Sequence, residues 1–122
     1  MLDHIGLDVS DITKSKDFYL AALKPLGYEL FMVWEKWVGF SINGKPYLWL
    51  RDGTATSPGI HIAFQAKDRK TVNEFHRAAI AAGGKDNGPP GVREIYHPNY
   101  YGAFVLDPDG HNIEAVCHEP HA

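Results

Sequence analysis

Two histidines and one glutamate are the residues whose types and spacing could hold a divalent cation. His4 and His61 begin matching hexapeptides, His4-Ile5-Gly6-Leu7-Asp8-Val9 and His61-Ile62-Ala63-Phe64-Gln65-Ala66. Alternate side chains share a face in an extended strand, so each histidine points away from its apolar neighbours. Glu114 lies in the last apolar run, where Asn112, Glu114 and Val116 share one face and Ile113, Ala115 and Cys117 the other. Two neutral imidazoles and a carboxylate leave open positions on an octahedral ion, suiting Fe2+, Ni2+, Mn2+ or Zn2+. Such an ion can polarise a substrate oxygen, acidify water or, if iron, bind dioxygen. The simpler alternative is that both histidines are relics of a repeat, satisfied by backbone groups.

The three residues can meet only if the chain positions them by symmetry, and the sequence carries a repeat. At the His4 to His61 offset of 57, the stretch from His4 to Gly27 aligns with His61 to Gly84 without a gap. Asp11 falls on Asp68, Phe18 on Phe75 and Gly27 on Gly84. Farther along, Gly39-Phe40 matches Ala103-Phe104, and Gly44 matches Gly110 at an offset of 66. Fixed-period similarity of this kind marks a duplicated supersecondary unit.

Each copy reads as a strand, a helix and three strands. Met1 to Val9 is the first strand, Ser10 or Asp11 the cap of the next helix, and Ile12, Ser15, Tyr19, Ala22, Leu23 and Leu26 its buried stripe. Strands are expected at Tyr28–Phe31, Trp37–Ile42 and Pro46–Leu50, the last two joined by the hairpin dipeptide Asn43-Gly44. Residues 51–59 read as a linker. His61–Ala66 opens the second copy, Asp68 caps its helix, and Val72, Phe75, His76, Ala79 and Ile80 face inward. Lys85–Gly91 reads as a loop or an irregular edge strand, followed by Val92–Tyr101 and the turn Asp107-Pro108-Asp109-Gly110. The expectation is a single α+β domain over 1–122, with module one at 1–56, module two at 57–122, and two βαβββ modules forming a cupped mixed sheet.

Composition narrows the function classes. The chain has 122 residues, 44% of them hydrophobic, and a formal net charge of −3. No basic run argues for nucleic acid, and no apolar stretch reaches the roughly 18 residues of a membrane span. The lone Cys117 excludes an intrachain disulfide framework and suits a reducing compartment, so a cytoplasmic location is expected. Of seven histidines, His111, His118 and His121 near the end read as solvated. His97, Tyr100 and Tyr101 sit beside Pro98, a cluster richer than a connection needs and suited to lining a site.

The stretches HIGLDVSDITKSKDFY, HIAF and FVLDPDGHNIEAV resemble the vicinal oxygen chelate superfamily over nearly the whole chain. That superfamily holds glyoxalase I, the extradiol dioxygenases, and the fosfomycin- and bleomycin-resistance proteins. The resemblance implies paired βαβββ modules around a divalent metal, with His4, His61 and Glu114 at the ligand positions. It also implies a homodimer, since small members commonly pair and some build the metal site from two chains. Glyoxalase I adds a second glutamate in module one; by the Gly44 to Gly110 offset that place is Leu48, which can neither ligate nor move a proton.

The leading expectation is therefore a glyoxalase-like metal-dependent enzyme acting on oxygens of a small molecule, with lyase, isomerase or dioxygenase chemistry. Glu114 and His97 would be catalytic, with Tyr101 as a supporting donor; Tyr100, Trp37 and Trp49 would bind substrate. The alternative is a metal-independent protein of the bleomycin-resistance type, sequestering an aromatic ligand with Trp34, Trp37, Trp49, Tyr100 and Tyr101. Fosfomycin-type thiol transfer ranks last.

Overall fold

The structure is a computed structural model and describes residues 1–55 and 59–120. The expected module boundary at 56/57, part of the 51–59 linker and His121 lie outside the described residues. Module one comprises β1 (Ile5–Val9), α1 (Ile12–Leu23), a 3-10 turn (Lys24–Leu26), β2 (Glu29–Trp34), β3 (Trp37–Ile42) and β4 (Lys45–Asp52). Module two comprises β5 (His61–Gln65), α2 (Arg69–Ala81), β6 (Lys85–Val92), β7 (Tyr101–Leu106) and β8 (Asn112–Cys117).

Local chemistry sets these elements. Asp11 and Asp68 cap the two helices, their carboxylates accepting from the amides of Lys14 (3.1 Å) and Thr71 (2.8 Å). Asn43 and Gly44 take φ of +51° and +79°, the left-handed pair that joins β3 to β4 in a tight hairpin. β6 is the irregular edge strand, bulged at Gly88 and Gly91. β1 begins at Ile5 rather than Met1, and β2 runs on to Trp34 because it pairs with β3 as far as Trp37.

The strands form two four-stranded mixed sheets, ordered β1-β4-β3-β2 and β5-β8-β7-β6. In each, the first strand lies parallel to the last. One face of each sheet packs on the helices, and the two modules share a core. Leu7, Val9, Phe40, Leu48 and Leu50 come from the first sheet; Phe64, Val105, Ile113 and Ala115 from the second; Phe18, Tyr19 and Phe75 from the helices. Phe18 reaches across the modules to Gly84, where a Cβ would lie 2.7 Å from its ring. On α2, Ile80 is more exposed than its stripe position predicts and His76 pairs with Asp86.

His111 is fully buried, not solvated. The Asp107 carboxylate accepts from the amides of Asp109 and His111, both at 2.9 Å, and from the Tyr19 hydroxyl, which draws the turn inward. Among the described residues no helix is long and apolar enough to cross a membrane. The opposite faces of the two sheets, free of helices, carry the chemistry.

Candidate functional site

On module two's open face, Glu114 sits in β8 opposite Ala63 of β5 and Phe104 of β7. It is fully buried, so its carboxylate needs partners to offset lost hydration. It has two. The His61 ring donates from Nε2 to Oε1 at 2.7 Å, and the Tyr100 hydroxyl donates to Oε2. Gly102 leaves room for both groups: a Cβ there would lie 3.2 Å from Oε2 and 3.1 Å from the Tyr100 ring. Lost solvation, then the bond to Glu114 and its charge, push the Tyr100 phenol well above its ordinary range. The phenol therefore stays protonated. A buried carboxylate bonded to imidazole fixes the ring's tautomer and orientation.

The 93–100 loop and the tail after β8 rim this cluster. The Tyr96 ring packs edge-on against Tyr100 at 5.0 Å, and His118 against both Tyr100 (5.3 Å) and His97 (6.0 Å). His97 is exposed, accepts at Nδ1 from the amide of Asn99, and borders Glu114 only through His118 and Tyr100. Tyr101 faces the other way. Its hydroxyl donates to Asn73 of α2 at 2.7 Å, and the Arg69 guanidinium covers its ring. The alternation that places Tyr100 beside Glu114 carries Tyr101 to the helix side.

Two neighbours of the cluster were not among the expected site residues: Arg93, and His118, which is exposed as expected yet borders Tyr100. His118 shares the strand parity of Glu114 and Val116, and alternation would have found it. Arg93 carried no periodic signal, because the bulges of β6 break the alternation that leads to it.

Module one's open face is aromatic. His4, Gly6, Met32, Trp34, Trp37 and Trp49 line an open cavity of about 510 Å³. The Trp37 and Trp49 rings stand nearly perpendicular at 6.3 Å, and Phe31 packs edge-on against Trp49 at 5.9 Å. Beside them Arg51 donates twice to Asp8, both at 2.9 Å, holding that carboxyl below the usual range. His4 Nδ1 lies 2.8 Å from Asp3, which also pairs with Lys45.

The register corrects two sequence assignments, and the first is that Gly39 matches Phe104 and not Ala103, since Gly39 pairs with Trp49 where Phe104 pairs with Glu114. Gly6 pairs with Trp49 where Ala63 pairs with Glu114, so the module-one counterpart of Glu114 is Trp49 and not Leu48. Leu48 points into the core at 1% exposure. The absence of a second glutamate stands, but an indole fills its place.

The structure thus brings His61, Glu114 and Tyr100 together, and separately His4, Trp37 and Trp49. Among the described residues, no three His, Cys, Asp or Glu side chains converge as a metal site within one chain.

The family model described as "Glyoxalase/Bleomycin resistance protein/Dioxygenase superfamily" matches residues 1–115. A glyoxalase/bleomycin resistance protein from Albidiferax ferrireducens is 28% identical, with a TM-score of 0.83 over 96% of this chain and 98% of that one. A glyoxalase-related enzyme from Fulvimarina pelagi shares the fold at 20% identity and a TM-score of 0.75, covering 96% and 87% of the two chains. A lactoylglutathione lyase from Agrobacterium tumefaciens shares it at 18% and 0.69, covering 96% and 92%. No functionally curated protein matches the sequence.

Proposed function

The chain belongs to the glyoxalase/bleomycin resistance protein/dioxygenase superfamily, and on that premise we propose that it is a cytoplasmic, divalent-metal-dependent enzyme acting on an oxygen-rich small molecule. The His61–Glu114–Tyr100 cluster carries the reading. A nitrogen and a carboxylate oxygen 2.7 Å apart are close to the separation, about 2.9 Å, of adjacent donors on an octahedral ion with 2.0–2.1 Å bonds. His61 Nε2 and Glu114 Oε1 would hold Fe2+, Ni2+, Mn2+ or Zn2+ in place of the proton they share. Bound there, the ion would act as a Lewis acid on substrate oxygens.

Tyr100 occupies the far oxygen of Glu114, so the carboxylate offers a single oxygen to the ligand side. His97, on the rim, is the proposed proton carrier. Tyr101 is not proposed for the site, since it bonds to α2. With Trp49 in the second glutamate's place, proton transfer between paired glutamates is not open to this protein. Single-carboxylate lyase, isomerase or dioxygenase chemistry fits better.

The third donor is proposed to be His4 of a second copy. Within a chain His4 belongs to the other open face, and β2, at the far edge of that sheet, exposes Leu30, Phe31, Met32, Val33 and Trp34. An apolar edge of this kind is a pairing hazard unless covered, and a homodimer covers it.

Elemental analysis of protein purified without chelator tests the metal, and mixing tests the assembly. Parent protein should carry roughly one divalent ion per chain, and His4→Ala and His61→Ala variants should each lose it. Unfolded together and refolded, the two variants should recover about a quarter of the parent's metal, because half the dimers then hold one intact site. Full metal in both variants would sink the reading; no recovery on mixing would sink the shared site alone. A second reading, sequestration of a flat aromatic ligand without metal, is favoured by the tryptophan cavity. It gains if the parent binds none of the four ions.

A further inference from the structure

Module two's open face carries a cation that this reading does not use. Arg93 opens the 93–100 loop, and its guanidinium lies 5.5 Å from the centre of the Phe104 ring. Phe104 is directly opposite Glu114 in the β7–β8 register, and 6.2 Å from the His61 ring. The guanidinium therefore stands one strand away from the carboxylate–imidazole pair.

The backbone beneath Arg93 is built to admit it. A Cβ at Gly91 would lie 3.0 Å from Nη1, and one at Gly88 would lie 3.2 Å from Nη2 and 2.9 Å from the Phe104 ring. Gly88 also takes φ of +153°, a conformation other residues rarely adopt. Two missing side chains thus make the berth that the guanidinium fills.

Its hydrogen bonds leave capacity over. Nη2 donates to the Pro89 carbonyl at 2.7 Å, and no carboxylate among the described residues lies within ion-pair distance. The neighbouring Asp86 feels the Arg93 charge, but its Oδ1 bonds to His76 (2.9 Å) and to the amide of Gly88 (3.0 Å) and not to the guanidinium. A guanidinium offers five N–H donors in a planar fork. Partly buried, with one side-chain bond and, among the described residues, no carboxylate in direct contact, it has donors to give a ligand.

We propose that Arg93 is a specificity residue that selects ligands carrying a carboxylate, so that the substrate is a small carboxylic acid whose other oxygens reach His61 and Glu114. The planar fork matches a carboxylate through two parallel hydrogen bonds. A phosphate dianion suits the place less, because the Asp86 and Glu114 carboxylates are near. The inference rests on the module-two face being the ligand site, and the experiment separates the two claims.

Binding of 3,4-dihydroxybenzoate and of its neutral methyl ester is measured calorimetrically on the full chain as purified without chelator, for the parent, Arg93→Gln, Arg93→Lys and Glu114→Gln. The acid should bind the parent about tenfold to hundredfold more tightly than the ester. Arg93→Gln should erase that preference while leaving the ester within about twofold, and Arg93→Lys should keep part of it as a point charge. Glu114→Gln should weaken both ligands alike.

Equal affinity for acid and ester in the parent, or a preference that survives Arg93→Gln, overturns the inference even if Glu114→Gln weakens both. A preference lost in Arg93→Gln with no effect of Glu114→Gln upholds Arg93 and removes Glu114 from the ligand site. Failure of the parent to bind the acid overturns the inference outright. Because Arg93 also tethers Pro89, Arg93→Lys guards against a loop defect. A structural role alone would lower both affinities together.

Discussion

The two modules share a backbone plan and differ in what their open faces hold. At the same register position, module one has Trp49 and module two has Glu114; at the strand position opposite, module one has Gly39 and module two Phe104. Gly39 is small because a Cβ there would lie 2.8 Å from the Trp49 indole. Glu114 leaves room for Phe104 and receives two hydrogen bonds in exchange for its hydration. Duplication supplied two equivalent sheets, and a swap of large and small across one strand pair made one an aromatic wall and the other a buried carboxylate. Position in the fold alone, then, does not carry chemistry; the residue opposite decides whether a charge can live there.

The largest break in that comparison comes from placing a carboxylate one residue off. Leu48→Glu buries an unpaired charge in the core and should cost about 4 kcal/mol or more, enough to unfold much of a domain of ordinary stability. Trp49→Glu puts the same group on the open face, where it trades indole packing for solvent and should cost about 2 kcal/mol. Urea unfolding of both variants reads the difference. Equal losses would mean that Leu48 and Trp49 do not face opposite sides.

That one-residue slip also shows how far the sequence could be read. The repeat, both aspartate caps, the Asn43-Gly44 hairpin and the face of Glu114 follow from local rules that need few partners. The register of β4 does not. Between Phe40 and Ser41 the β3–β4 ladder shifts by one residue, whereas β7–β8 pairs without interruption. Counting from the turn glycines Gly44 and Gly110 therefore gives an offset one too large beyond the bulge, and a slip of one exchanges the faces. The separation of His4 from His61 was equally hidden, because it depends on how two sheets pack and not on either strand. Tyr100 and Tyr101 were a pair in sequence, and only the start of β7 tells which one turns toward Glu114.

The smaller tests concern what supports each face. Tyr100→Phe leaves Glu114 Oε2 buried without a donor and should cost about 1.5–3 kcal/mol. Tyr101→Phe loses only a bond to Asn73 and should cost about 1 kcal/mol or less, with ligand binding unchanged. pH sharpens the contrast. Because the Tyr100 phenol is raised above its unfolded value of about 10, its contribution is complete below that pH and is lost as pH climbs toward the higher folded value. Parent and Tyr101→Phe should therefore lose stability more steeply above about pH 10 than Tyr100→Phe does, in denaturant melts at graded pH. Parallel curves for all three would remove the bond between Tyr100 and Glu114 from the account.

Gly39→Ala probes the other side of the swap. Its methyl group meets the Trp49 ring at 2.8 Å, so either the indole swings into the cavity or the strand shifts. Overpacking of this kind should cost about 1–2 kcal/mol, since the indole borders open space and can partly yield. In a Trp49→Ala background the clash is gone, and the same substitution should be close to neutral. A double-mutant cycle would then report a coupling of about 1 kcal/mol between the two positions. An additive cycle would mean that the glycine serves the backbone of β3 and not the indole, and the large-for-small exchange would no longer explain why the two modules diverged.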